Sequence, residues 1–369
     1  MTTVRYDVLS GSFCVIAQER SKRPSDFPGA QKHQELGRAR VENCPFCPGN
    51  EKMTPPEVAA FREGGERDGP GWSVRVVPNK YPAFVPVEES GEEEEDAFKH
   101  CLKEMPEVVG SPDASMYWEL PGIGAHEVII DSPAHNGTLG TYSRATAGLI
   151  IRMLRDRHRA LSAKPEIAYV HLFRNWGPEG GASLSHPHFQ GIGLPFVPGS
   201  VLEEETRFQE YSKKTGRCLL CDIAEREMEK DERVVLKGDA FRVIAPFASR
   251  FSYETLIIPR GHKGSFGRIS DDECDALAAS LTALFARYER LFPSLSYNMV
   301  WHSLPDGKHQ VPEYHWHIHV FPRLTTMAGL ELGTGVFINP TAPEVAAGLL
   351  GERADREGET GSGQGVMGG

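Results

Sequence analysis

No apolar run in this chain approaches the ~20 residues that a membrane-spanning helix needs, which argues against an integral helical membrane protein. A basic surface is missing too. The 51 Asp and Glu against 40 Lys and Arg leave a formal charge of -11, the opposite of the footprint that phosphate-backbone binding requires. No general nucleic-acid partner is expected, although a small anionic substrate needs only a few local cations. The opening MTTVRYDVLSGS has no basic region followed by an apolar core, so no secretory leader is expected and the cytoplasm is the expected compartment. Disulfides have little to build on. The seven cysteines are odd in number, and four of them form two C-x-x-C pairs, Cys44/Cys47 and Cys218/Cys221. What the composition supplies is 40% apolar and 25% charged residues over 369 positions, a soluble globular balance with length for two domains or one elaborated core.

The two halves carry the same chemistry in the same order. Cys44-Pro-Phe-Cys47 answers to Cys218-Leu-Leu-Cys221, and VVPNKYPAF (76–84) to VIAPFASRF (243–251). HEVIIDSPAH, ending at His135, answers to YETLIIPRGH, ending at His262, with Glu127 and Glu254 at matching places. A helical stretch follows in each half. Ser270-Asp-Asp-Glu273 has the form of a capping box, with Leu277, Leu281, Leu284, Phe285 and Tyr288 on one face; Leu149, Ile150, Met153, Leu154 and Leu161 play that part in the first half. A β-type run comes next, HLFRN (171–175) or NMVWH (298–302), and then a histidine cluster, His186-Pro-His188-Phe-Gln190 or His315-Trp-His317-Ile-His319. The expectation is a tandem repeat of one unit, an antiparallel sheet carrying a helix, so the fold class is α+β. The expected boundaries are 1–207, 208–350 and a disordered tail, 351–369, rich in Gly and charge. The acidic run in GEEEEDAFKH (91–100) is expected to be a solvated loop.

Zinc prefers thiolate and imidazole in a tetrahedral shell, and a two-residue gap lets both sulfurs of a turn reach one ion. Each cysteine pair wants two more ligands. The repeat nominates His135 and His186 for the first site, His262 and His315 for the second. Cys14, Cys101 and Cys274 have no partner pattern and are expected to be structural.

Residues two apart on an extended chain share a face, so His186, His188 and Gln190 line up. The expected division of labour is that His186 anchors a metal while His188, a neutral imidazole near pH 7, attacks phosphorus. Gln190 offers its amide to a phosphoryl oxygen. The preceding NWGPEGGASLS (175–185) is expected to bring backbone N–H groups and the Ser183 hydroxyl against a phosphate.

Taken together, RSKRP (20–24), CPFC, VPNKYP, SPAH, the Asn-to-Ser loop, HPHFQ and HWHIHVFPR resemble the galactose-1-phosphate uridylyltransferases, members of the histidine triad superfamily built from two such repeats. The resemblance spans roughly Val15 to Leu350. It implies a ping-pong reaction in which His188 takes a nucleotidyl group from a nucleotide sugar and passes it to a sugar phosphate. It also implies Arg20 and Arg23 near the phosphates, Asn79 near the nucleoside, Asn175, Gly181 and Ser183 around the α-phosphate, and Gln190 on its oxygens. Zinc is implied on Cys44, Cys47, His135 and His186, and a homodimer is the implied assembly.

For a second metal the family offers two patterns. One maps to Glu204, His302, His317 and His319; the other maps to Cys218, Cys221, His262 and His315, and the duplicated cysteines favour it. His317 stands where His188 stands in the first repeat, but SLPDGKHQVPEY (303–314) replaces the Gly-Ser loop, so it counts with the substrate-binding residues and not as a rival nucleophile. Glu331 matches a hexose-contacting glutamate, and Asn339 falls near a position often held by glutamine. That same segment resembles ADP-glucose phosphorylases, which transfer an adenylyl group to phosphate. Uridylyl transfer between UDP-glucose and galactose 1-phosphate is the first expectation, with ADP-glucose or dinucleotide phosphorolysis beside it. A non-catalytic zinc-stabilised nucleotide-binding module and simple hydrolysis of a nucleotidyl conjugate are the other readings.

Overall fold

Short β-branched and aromatic runs bounded by Gly, Pro and Asp build the strands: β1 (Thr3–Tyr6), β2 (Phe13–Ile16), β3 (Ala59–Arg62), β4 (Trp72–Pro78), β5 (Ala125–Ile130), β6 (Tyr169–Trp176), β7 (His188–Leu194), β8 (Val234–Lys237), β9 (Phe241–Ile244), β10 (Thr255–Pro259), β11 (Tyr297–His302), β12 (His317–Pro322) and β13 (Phe337–Asn339). The helices are α1 (Arg144–Ser162), α2 (Gly199–Thr215), α3 (Leu219–Lys230), α4 (Asp271–Leu291), α5 (Gly329–Thr334) and α6 (Pro343–Leu350). The computed structural model describes residues 2–19, 37–91, 96, 98–99, 119–307 and 311–351.

Ten strands form one sheet in the order β3-β4-β5-β7-β6-β11-β12-β10-β9-β8. Its left half, β3-β4-β5-β7-β6, and its right half, β8-β9-β10-β12-β11, have the same strand order. They meet at a single antiparallel seam between β6 and β11, with Asn175 opposite Asn298. The mixed α+β class is as the sequence led us to expect. The boundary drawn between residues 207 and 208, however, falls inside α2, and the sheet runs without a break from one half to the other. A small three-stranded sheet, β1-β2-β13, flanks it, with β13 parallel to β2. The acidic run 92–95 and the tail beyond residue 351 lie outside the described residues.

Two layers cover the sheet. α1 and α4 lie on one face, where Val74, Val76, Ile129, Leu154, Leu172, Phe189, Leu277 and Leu281 make the main core. The Ser270–Glu273 capping box is present at the start of α4, and Leu277, Leu281, Leu284, Phe285 and Tyr288 are its buried stripe. The opposite face carries the site. There the Cys44–Cys47 turn packs on Val77, Val128 and Ile130 in the first half. In the second half α2 and α3 pack on Leu256 and Ile258. Because β10 is covered on both sides, Thr255–Pro259 is buried at every position, which is why Leu256–Pro259 is an apolar run instead of an alternation.

Candidate active site and metal centres

The first C-x-x-C turn, the loop after β5 and the start of β7 bring Cys44, Cys47, His135 and His186 together, all buried, with ligand atoms within 4.8 Å of one another. Cys47 Sγ lies 3.4 Å from His135 Nδ1 and 3.6 Å from His186 Nδ1, and Cys44 Sγ lies 3.7 Å from His186 Nδ1. The far nitrogen of each ring is engaged elsewhere. His186 Nε2 donates to the Ser132 carbonyl at 2.9 Å, and His135 Nε2 meets Ser185 Oγ at 3.0 Å. That leaves the His186 Nδ1 lone pair aimed at the sulfurs, the arrangement in which an outer partner orients a metal-binding imidazole. Burial lowers His186 to about 4, so it is neutral, and raises the Cys44 thiol to about 11. Two thiolates in so dry a place need a cation between them. The donor set fits a tetrahedral metal.

His188 follows on the same strand face. Its Nδ1 donates to the His186 carbonyl at 2.8 Å, which fixes the tautomer and leaves the Nε2 lone pair without a partner among the described residues. Burial lowers His188 to about 4, with Arg174 adding to the effect, so the ring is neutral over the physiological range. The Phe46 ring, from the cysteine turn, stands edge-on to His188 with centroids 5.4 Å apart. The cysteine turn thus touches the His188 ring.

Gln190 is two residues on. Its Oε1 is 2.9 Å from His126 Nε2, and no acceptor meets its amide nitrogen among the described residues. The β6–β7 register pairs Phe173 with Gln190, so Asn175 falls on the same face at the level of His188. Asn175 Oδ1 accepts from Asn298 Nδ2 at 2.8 Å. Asn79 lies beside the same His126 ring, its Nδ2 at 3.1 Å from Nε2. His188, two amides and the first Cys/His cluster are therefore gathered on one patch of one sheet face.

The loop after Asn175 is built differently from the expectation. The N–H groups of Gly180, Gly181 and Ala182 donate to Gly177 and Pro178 carbonyls inside the loop. These three are spent on closing a turn and do not form an open cradle. Gly181 has φ +77, a conformation that excludes most side chains, and a Cβ on Gly180 would stand 2.3 Å from the Trp176 carbonyl. The Ser183 side chain is exposed.

In the second half both candidate metal sets assemble. Cys218, Cys221, His262 and His315 converge within 4.8 Å, with Cys221 Sγ 3.4 Å from His315 Nδ1 and His262 Nε2 donating to the Pro312 carbonyl at 2.7 Å. This site is more open than the first, since His262 is exposed. His302, His317 and His319 form a third group, capped from α2 by Glu204, whose carboxylate lies 2.7 Å from His302 Nδ1 and 3.5 Å from His317 Nε2. Burial opposes the Glu204 charge, but the flanking histidines and the Tyr314 hydroxyl outweigh it and hold the carboxyl down to about 2. His317 Nδ1 donates to the His315 carbonyl at 3.0 Å, repeating the His188 arrangement. Its Nε2 is sealed from solvent and faces a carboxylate. A phosphoryl group has no approach to it.

The remaining expected site residues are scattered. Arg20 and Arg23 lie outside the described residues. Glu331 caps α5 by accepting from the Ala328 N–H at 2.9 Å and borders a cavity of about 190 Å³ with Arg250, Thr325 and Thr326. Asn339 is fully buried, its Nδ2 donating to the Ser249 and Phe251 carbonyls and its Oδ1 accepting from Ser252 Oγ, so its amide has no group left for a sugar. Reasoning from sequence passed over His126, Asn298 and Phe46. The first had a signal in the alternation of HEVIID, which puts His126 on the face of Val128 and Ile130, against Gln190. The second depends on the β6–β11 pairing, which no local pattern specifies.

Comparison with known proteins bears on this geometry. Residues 1–198 match the family description galactose-1-phosphate uridyl transferase, N-terminal domain, and residues 204–333 match its C-terminal domain. The chain is 29% identical over 351 residues to an ADP-glucose phosphorylase of Arabidopsis thaliana, covering 95% of this chain and 92% of that one. It is 27% identical over 360 residues to a galactose-1-phosphate uridylyltransferase of Thermotoga maritima, covering 95% and 98%. The crystal structure of an ADP-glucose phosphorylase from Arabidopsis thaliana with bound ADP-glucose superposes with a TM-score of 0.76 at 27% identity, over 95% of this chain and 98% of that one.

Proposed function

This chain belongs to the galactose-1-phosphate uridyl transferase family, and from that premise we propose that it transfers a nucleotidyl group through a covalent adduct on His188. The observation that carries the reading is the His188 ring, locked by the His186 carbonyl with Nε2 open, beside the Gln190 amide and the Cys/His cluster. His188 Nε2 attacks the α-phosphorus of a nucleotide sugar. An N–P bond forms as the bond from phosphorus to the bridging oxygen breaks, and the sugar 1-phosphate leaves with both electrons. An acceptor phosphate oxygen then attacks the same phosphorus and frees the imidazole. Donors from Gln190, Asn175 and Ser183 take up charge on the phosphoryl oxygens, and Arg20 and Arg23 neutralise the phosphates. Zinc on Cys44, Cys47, His135 and His186 would hold the strand that presents His188, and a second zinc would bind Cys218, Cys221, His262 and His315.

The first-choice reaction is uridylyl transfer between UDP-glucose and galactose 1-phosphate. A second reading, transfer of an adenylyl group from ADP-glucose to phosphate, is favoured by the likeness to the Arabidopsis phosphorylase in both sequence and structure. A cytoplasmic homodimer belongs to the same proposal. Intact mass after brief mixing with UDP-glucose and, separately, ADP-glucose decides between donors. A uridylyl or an adenylyl adduct, absent in His188→Ala, is the expected result and names the base. No adduct from either donor, with metal bound and the fold intact, would overturn covalent transfer.

A further inference from the structure

A side-chain amide facing a phosphoryl group helps only if its NH2 end points inward, and the two ends of an amide occupy nearly the same space. Something must set the polarity. In this fold each of the two amides beside His188 is tied, through one intermediate side chain, to a backbone group whose donor or acceptor character is not negotiable. The Ala83 N–H donates to His126 Nδ1 at 3.2 Å. Burial lowers the basicity of His126, with the Gln190 contact working the other way, so the neutral ring carries its one proton on Nε2. Asn79 cannot take that proton, because its Oδ1 already accepts from the Tyr81 N–H at 2.9 Å and its Nδ2 is the end that faces the ring. The acceptor is Gln190 Oε1, at 2.9 Å, and the Gln190 NH2 is turned outward. Across the seam the Gly180 carbonyl accepts from Asn298 Nδ2 at 2.8 Å, and the same NH2 donates to Asn175 Oδ1 at 2.8 Å. Asn175 is thereby turned the same way.

We infer that His126 and Asn298 are positioning residues that set the donor polarity of Gln190 and Asn175 toward the transferred phosphoryl group without touching it. The inference rests on the nucleotidyl-transfer reading and adds to it how the site distinguishes a productive amide from its flipped, repulsive form. A carbonyl oxygen turned toward a developing phosphoryl charge replaces attraction with repulsion, so a free rotor loses much of the advantage of the donor.

The test is the single-turnover rate of adduct formation on the full-length, metal-loaded protein, with UDP-glucose and with ADP-glucose. It is measured for His126→Phe, Gln190→Ala and the double variant, and for His126→Gln, which keeps a donor at that reach. Removing one well-placed donor typically costs about 100-fold or more, so Gln190→Ala is expected in that range and His126→Phe to cost about tenfold or more. In the Gln190→Ala background His126→Phe should change the rate by less than about twofold, and His126→Gln should recover most of the loss. A residue that merely supports the fold would slow both backgrounds by the same factor, and that result would overturn the inference while leaving nucleotidyl transfer in place. Wild-type protein that forms no adduct from either donor would overturn both.

Discussion

Beneath β7, on the helix-covered face, Arg174 donates to Asp131 with both side chains fully buried. The guanidinium lies 4.6 Å from the centroid of Phe189 and 4.9 Å from that of Trp176, and the Tyr142 hydroxyl donates to the same Asp131 oxygen at 3.4 Å. Burial pushes the Asp131 carboxyl up while Arg174 pulls it down, so the pair is held by mutual neutralisation and not by water. Arg174→Met keeps the volume and the contact with both rings but strands the carboxylate. Breaking a buried pair in this way costs about 3–5 kcal/mol, a large share of the ~5–15 kcal/mol that holds a typical domain together. Adding Asp131→Asn removes the stranded charge and keeps an acceptor for Tyr142, so the double variant should regain about 2 kcal/mol or more relative to Arg174→Met. Urea unfolding followed by fluorescence and circular dichroism reads these differences, provided zinc is held saturating, because Ser132 beside Asp131 carries the carbonyl that orients His186. A cost below about 1 kcal/mol for Arg174→Met, or a double variant no more stable than the single, would refute the claim that neutralisation matters here.

Cys47→Ser is expected to lower bound zinc by about one equivalent per chain and to slow adduct formation on His188, since Phe46 in the same turn packs on that ring; metal analysis beside the single-turnover rate checks both. Cys218→Ser should remove a second equivalent while Glu204→Gln removes none, and the reverse pattern would move the second metal to the glutamate-capped histidines. His158 is fully buried and burial lowers it to about 4, against 6.5 for an ordinary imidazole. Its folded-state value is depressed, so the unfolded chain takes up this proton first and stability falls as pH drops from 6.5 toward about 4. His158→Gln should flatten that part of the profile, measured as the urea midpoint against pH, and an unchanged slope would count against it.

Much of this molecule was legible in its chain because its chemistry is written locally. C-x-x-C, HPHFQ and the Ser270–Glu273 box each specify their own turn, strand or cap, and two histidines per cysteine pair followed from matching one half to the other. The structure brings the two Cys/His quartets together. The choice between second metal sets was posed as an alternative, yet the cysteines at the start of α3 meet His262 and His315 while Glu204 on α2 meets His302 and His317, so the two sets share no residue. The NWGPEGGASLS loop misled because Gly-rich composition says that a turn is tight without saying where its N–H groups point; here those of Gly180, Gly181 and Ala182 point inward. Asn339 misled in a similar way, since an asparagine beside an apolar strand is equally able to satisfy buried carbonyls.

The single seam between β6 and β11 has a consequence for what the chain can afford to lose over evolutionary time. In the second half His317 takes the place that His188 has in the first, and its Nε2 is sealed from solvent and faces the Glu204 carboxylate. Yet Asn298 holds Asn175 and Gly180, and Ser296 donates to Glu179, so the loop beside His188 leans on residues of the second half. A deletion that removed the second half would take the first half's geometry with it. Dependence of this kind works as a ratchet: each contact across the seam makes the second half harder to discard, and ties its survival to the shape it lends its neighbour.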